Sequence, residues 1–73
     1  MASLSERIKE LRTSQGILQQ ALADSLGLSL RGYQRYERGE RFPTADVLLD
    51  IANFFQVSTD YLMGVSSSKE RLP

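Results

Sequence analysis

Neither cysteine nor histidine occurs in the 73 residues. The missing cysteine rules out a disulfide framework and a thiolate metal site. The missing histidine removes the commonest general base and the commonest metal ligand together, so neither an enzyme nor a metal or other cofactor is expected. No apolar run approaches the ~20 residues of a membrane span, and Met1 to Arg12 alternates charged with apolar side chains, unlike a signal peptide. The expected location is the cytoplasm, with no membrane partner. Net charge is also absent, since nine Lys plus Arg stand against nine Asp plus Glu. Bulk charge therefore gives no support to nucleic-acid binding, and only its distribution can.

That distribution is uneven. Four arginines lie between Arg31 and Arg41, against Glu37 and Glu40, while Thr44 to Asp60 carries Asp46, Asp50 and Asp60 and no base. A neutral chain polarised in this way can still act on a phosphate backbone within the screening length of ~8 to 10 Å. The length suits one small domain, which buries only ~60% or a little more of its unfolded surface.

Helical signals run through residues 1–64. Ser3-Leu4-Ser5-Glu6 matches the capping box S-x-x-E, so a first helix starts at Leu4, buries Leu4, Ile8 and Leu11, and ends at Gly16. Gln19 to Leu26 places Leu22, Ala23 and Leu26 on one helical face, and Gly27 stops it. Leu18 stands where a capping hydroxyl or carboxylate belongs, an omission that typically costs ~1 kcal/mol. Ser29 caps a third helix from Leu30, closed by Gly39. Pro43 ends a short loop, and Thr44 caps a fourth helix with Ala45, Leu48, Leu49, Ile51, Ala52 and Phe55 on a wide apolar face and Phe54 off its middle. Ser58 caps a last helix with Tyr61 and Leu62. Val65 to Pro73 has too little apolar content to pack and reads as a flexible tail, so the expected division is a domain over 1–64 and a tail over 65–73.

At ~100° per residue, the third helix gathers Leu30, Arg31, Gln34, Arg35 and Arg38 in one sector and turns Tyr33 and Tyr36 the opposite way. The aromatic side anchors the helix, and the polar side is the candidate functional surface.

Within the 20 residues from Gln19 to Arg38, the first is glutamine, the fifth is the small Ala23, the ninth is Gly27, and Leu22, Leu26 and Leu28 are apolar. With Arg7 to Arg12 before this unit, Tyr36-Glu37-Arg38-Gly39 and Pro43 after it, and Val57 to Gly64 at the end, the chain resembles the lambda-repressor-like helix-turn-helix domains of phage repressors and Cro, the XRE type. The match covers roughly residues 4–64. It implies a compact all-α fold of five helices and a third helix in the major groove of double-stranded DNA. The set it implies for DNA contact is Gln19, Ser29, Leu30, Arg31, Gln34, Arg35, Arg38 and Arg41.

Within that set, Arg31 and Arg35 are the readers of bases, because a guanidinium donates two parallel bonds to guanine O6 and N7. Gln34 meets a base or a phosphate, Leu30 a thymine methyl group, and Gln19 a phosphate. Arg38 and Arg41 are phosphate contacts or solubilising charge. Arg12 and Glu37 match a partly buried structural ion pair.

Three positions depart from the family pattern: Leu18, Tyr33 in place of an aliphatic residue, and Gly32 inside the third helix. Gly32 costs that helix ~1 kcal/mol relative to alanine. It makes room for DNA or for Tyr33, or is a tolerated change.

The resemblance further implies a transcriptional regulator, a repressor in the first place, acting as a homodimer on a palindromic operator. Helix four, helix five or the tail would form the dimer surface, with Phe54 and Phe55 as candidates. The same fold also serves as a protein-interaction module, such as an antitoxin or a regulator-sequestering protein. Zero net charge favours that alternative, and the clustered arginines oppose it.

Overall fold

Four of the five helix starts are built by the hydroxyl that the sequence places there. In a computed structural model describing residues 3–70, the order is α1 (Leu4–Ser14), α2 (Gln19–Ser25), α3 (Leu30–Glu37), α4 (Ala45–Phe55) and α5 (Thr59–Leu62), with no strand among the described residues. Ser3 and Glu6 form the full capping box at α1. The hydroxyls of Ser29, Thr44 and Ser58 accept from the amides of Gly32, Val47 and Tyr61 at 3.0, 3.4 and 3.0 Å. α2 is the exception, for Leu18 makes no side-chain cap bond and is 74% exposed. Leu18→Thr is therefore expected to add about 1 kcal/mol of stability, seen as a higher urea midpoint at an unchanged slope.

Each helix contributes one of the largest fully buried side chains: Ile8, Leu22, Tyr33, Ile51 and Leu62. Burying such a side chain stabilises by roughly 1.5–3 kcal/mol, and here the five meet in one core that also holds Leu4, Leu11, Leu48, Ala52, Phe55 and Val57. Ala23, with no exposed surface, lets α2 lie close to α3. The turn between them passes through Gly27, whose φ of 69° is strained for a residue with a side chain. Leu28 then donates its amide to the Ala23 carbonyl at 2.9 Å, which fixes the direction in which α3 leaves.

The apolar face of α4 is narrower than its composition suggests. Leu48, Ile51, Ala52 and Phe55 are buried, whereas Leu49 is 53% exposed and Ala45 is exposed too. At ~100° per residue, Leu49 lies a quarter-turn off the line through Leu48, Ala52 and Phe55, and Ala45 sits in the first turn at the open end. Phe54, off the middle of the face, is partly exposed and meets Phe55 edge to face at 4.9 Å. Phe55 itself belongs to the core, so only Phe54 of that pair remains available to a partner.

The segment after α5 returns to the domain through its backbone. Ser58 donates its amide to the Lys69 carbonyl at 3.1 Å and its hydroxyl to the Ser68 carbonyl at 3.2 Å. Arg7 donates to the Ser66 carbonyl at 3.4 Å and stacks its guanidinium 4.0 Å from the centre of the Tyr61 ring. Val65 is 72% exposed, so apolar packing plays little part, in line with the composition. The remainder of the expected tail, 71–73, lies outside the described residues.

Candidate nucleic-acid interface

The outer surface of α3 starts from its cap. With Ser29 holding the Gly32 amide, Leu30 and Arg31 form a fixed first turn, and Gln34, Arg35 and Arg38 follow on the same side. A Cβ added to Gly32 would stand 3.0 Å from the Ser29 hydroxyl oxygen. The room that glycine leaves is thus occupied by the capping hydroxyl and not by Tyr33. Leu30, Arg31, Gln34, Arg35 and Arg38 line one open concavity together with Glu40. Arg31 and Arg35 are exposed, and their guanidinium groups have neither an ion-pair nor a hydrogen-bond partner among the described residues. Two unpaired guanidinium groups one turn apart on a capped helix can each offer parallel donors to an edge placed against them.

Tyr33 and Tyr36 are buried on the opposite side of α3, as the helical wheel requires. The Tyr33 ring is fully buried, and its hydroxyl is held by the Glu37 carboxylate one turn later, donating to Oε2. Arg12 reaches the same carboxylate with two bonds, Nε to Oε2 at 2.8 Å and Nη2 to Oε1 at 2.7 Å, and uses Nη1 on the Ile17 carbonyl at 2.8 Å. The expected ion pair is present and nearly buried, its side chains 12% and 5% exposed. Burial pushes the Glu37 carboxyl upward, but the hydrogen bonds from Arg12, Tyr33 and Gln19 together outweigh it and hold the group below the usual carboxylate value. The Tyr33 hydroxyl is raised well above its usual value, chiefly by burial and then by its bond to Glu37. It stays protonated and donates.

Gln19 joins this buried group to the outer face of α3. Its Nε2 donates to Glu37 Oε1 at 3.2 Å, and its Oε1 accepts from Gln34 Nε2 at 3.1 Å. Arg38 continues outward, donating from Nη2 to Gln34 Oε1 at 3.3 Å while its Nη1 lies 3.6 Å from Glu40. Gln19 is therefore half-buried and engaged on both ends of its amide, not a freely solvated side chain.

The structure gathers six of the eight expected contact residues around α3, with Ser29 as their cap. Arg41 stands apart, on a shallow groove with Leu4, Tyr36, Phe42 and Met63. Two links escaped the sequence. The Tyr33–Glu37 bond has a signal, because residues four apart share a helix face. The Gln19–Gln34 bond has none, since it depends on how α2 crosses α3. Among the described residues no group of acidic side chains is placed to hold a metal ion, and no helix is long and apolar enough to cross a membrane.

Comparison with known proteins places this geometry among relatives. A family model described as helix-turn-helix matches residues 8–62. The chain is 45% identical over 58 residues to the SPbeta prophage-derived uncharacterized HTH-type transcriptional regulator YonR of Bacillus subtilis, covering 80% of this chain and 54% of that protein. It is 42% identical over 62 residues to the HTH-type transcriptional regulator ImmR of the same organism, covering 85% and 49%. It thus spans about half the length of these curated relatives. Among solved structures, the P22 c2 repressor protein in complex with a synthetic operator superposes with a TM-score of 0.83 at 32% identity, covering 90% of this chain and all of that one.

Proposed function

Because this chain belongs to the helix-turn-helix family, we propose that it binds double-stranded DNA at specific sequences and regulates transcription in the cytoplasm, as a repressor. The observation that carries the proposal is the pair Arg31 and Arg35, exposed on the capped outer face of α3 with guanidinium groups unpaired among the described residues. α3 enters the major groove. The two guanidinium groups read base edges there, with Leu30 against a thymine methyl group and Gln34 against a base. Ser29, Gln19, Arg38 and Arg41 meet the phosphate backbone, Arg38 by exchanging Glu40 for phosphate. The ion pair of Arg12 and Glu37 fixes α1 against the end of α3, and so sets the angle at which the readers project.

A helix of eight residues is ~12 Å long and reaches only a few base pairs, which is too little for specific binding. We therefore propose a homodimer on a palindromic site. The molecule measures 30 × 23 × 22 Å, a size at which two copies side by side suit half-sites about one helical turn, ~34 Å, apart. Exposed Leu49, Phe54 and Met63 on and beside α4 and α5 are candidates for the contact. Relatives named as regulators and a repressor bound to operator support this reading.

Titration of the purified chain against random duplexes at several salt concentrations tests it. An enriched, roughly palindromic sequence is expected, with affinity falling by about 0.9 log units per log salt for each phosphate neutralised. Lack of enrichment at every salt concentration would refute sequence-specific binding. It would turn attention to a protein partner, the alternative that zero net charge favours.

A further inference from the structure

The three arginines on the outer face of α3 differ in one respect. The guanidinium groups of Arg31 and Arg35 have no partner among the described residues, whereas Arg38 is engaged twice, from Nη2 to Gln34 Oε1 at 3.3 Å and from Nη1 toward Glu40 at 3.6 Å. The backbone brings Glu40 there. Gly39 ends the helix at a φ of 77°, and the Glu40 amide then donates to the Arg35 carbonyl at 2.9 Å, which folds the residue back against the last turn of α3. Its carboxylate is thus the one acid among the residues that line the concavity with Leu30, Arg31, Gln34, Arg35 and Arg38. The pair is open to water, its side chains 59% and 52% exposed, so it adds little to folding stability. Its effect on the surface is larger, because it occupies a cation that faces outward.

We propose that Glu40 is a specificity-determining residue, which withholds Arg38 from the phosphates of non-cognate DNA and yields it only where α3 is fully seated. Binding to an arbitrary duplex comes almost wholly from phosphate neutralisation, so each free cation strengthens it at every sequence. Arg38 paired with Glu40 brings almost no net charge to that attraction. On a cognate site, contacts from Arg31 and Arg35 to base edges fix the duplex along α3, and a phosphate held opposite Arg38 replaces Glu40 as its partner. The carboxylate left behind turns to water, which its exposure permits. Without base contacts nothing holds a phosphate at that place, and the pair stays closed. Glu40 thereby sharpens the choice of sequence, although it reads no base. This rests on the DNA-binding reading and gives a role to the one acid of that concavity.

Four proteins test the proposal: wild type, Glu40→Gln, Arg38→Gln and the double variant, each checked for a native denaturation curve. All are titrated at several salt concentrations with the operator selected from random duplexes and with a scrambled duplex of the same length. For Glu40→Gln, affinity for the scrambled duplex is expected to rise roughly fivefold at low salt, and its salt slope to steepen by about 0.9, the value for one further phosphate neutralised. Affinity for the operator is expected to change by no more than about twofold at an unchanged slope, since Arg38 already meets a phosphate there. The double variant is expected to bind the scrambled duplex as the wild type does, because it has no Arg38 to release. An equal gain on operator and scrambled duplex would show that Glu40 acts only as diffuse negative charge, and the proposal is overturned. No gain on the scrambled duplex overturns it as well, and so does a gain that persists in the double variant. A wild type that selects no operator instead brings down the DNA-binding reading, and this proposal with it.

Discussion

Arg12→Ala is expected to cost about 3–5 kcal/mol of folding stability, the range for stranding one partner of a buried ion pair. For a domain of this size that lowers the melting temperature by roughly 15 °C or more. The substitution removes two of the four hydrogen bonds to Glu37 and the one donor that carries a full charge. It also frees the Ile17 carbonyl, which Arg12 Nη1 holds in the connection between α1 and α2. Tyr33 and Gln19 remain, but two neutral donors do not offset the burial of a carboxylate.

The pH dependence separates this account from simple loss of packing. In the wild type the folded Glu37 carboxyl lies below its unfolded value. Its contribution is therefore fully present above the ordinary carboxylate range and is lost as pH falls through the depressed value. In Arg12→Ala the main opposing influence is gone, and burial carries the carboxyl above its unfolded value. That variant is expected to gain stability between neutral and weakly acid pH, where the wild type holds steady or loses it. Urea denaturation of both proteins from pH 7 to pH 4 reads the difference directly. Parallel curves would show that Glu37 is not the group left stranded.

Arg35→Ala is expected to weaken binding to the selected operator by about 1–3 kcal/mol and to relax preference at one base position in each half-site. Arg31→Ala does the same at a different position. Arg41, on the separate groove with Phe42 and Met63, should behave otherwise. Arg41→Ala weakens all sequences alike and lowers the salt slope by about one. Equal profiles for the Arg35 and Arg41 variants would abolish the division between base reading and backbone contact.

Much of this arrangement is legible in the residues themselves. Serine and threonine at 3, 29, 44 and 58 mark four helix starts because capping is local chemistry, completed within one turn. Tyr33 and Tyr36 point away from the arginines because the helical repeat leaves no choice. Leu49 shows where an apolar count stops: composition puts it on the packing face of α4, but the helical repeat sets it a quarter-turn off the buried line, and it is exposed. The 65–70 segment shows a second limit, since an apolar count cannot anticipate docking through the carbonyls of Ser66, Ser68 and Lys69. The pairing of Gln19 with Gln34 joins residues 15 apart through a helix crossing, and only three-dimensional packing reveals it.

The carboxylate of Glu40, 3.6 Å from Arg38 at the rim of the proposed reading surface, bears on the kinetics of association. A chain with no net charge draws DNA from a distance only weakly, and a cation already paired with Glu40 adds little to that pull. Under the proposed DNA binding, encounter is expected near the unsteered rate of about 10⁵–10⁶ M⁻¹s⁻¹. The difference between a cognate site and any other stretch of duplex falls on how long the complex lasts. If the chain binds DNA as proposed, it is expected to leave wrong sites quickly and to remain on the right one because of short-range contacts formed after it arrives.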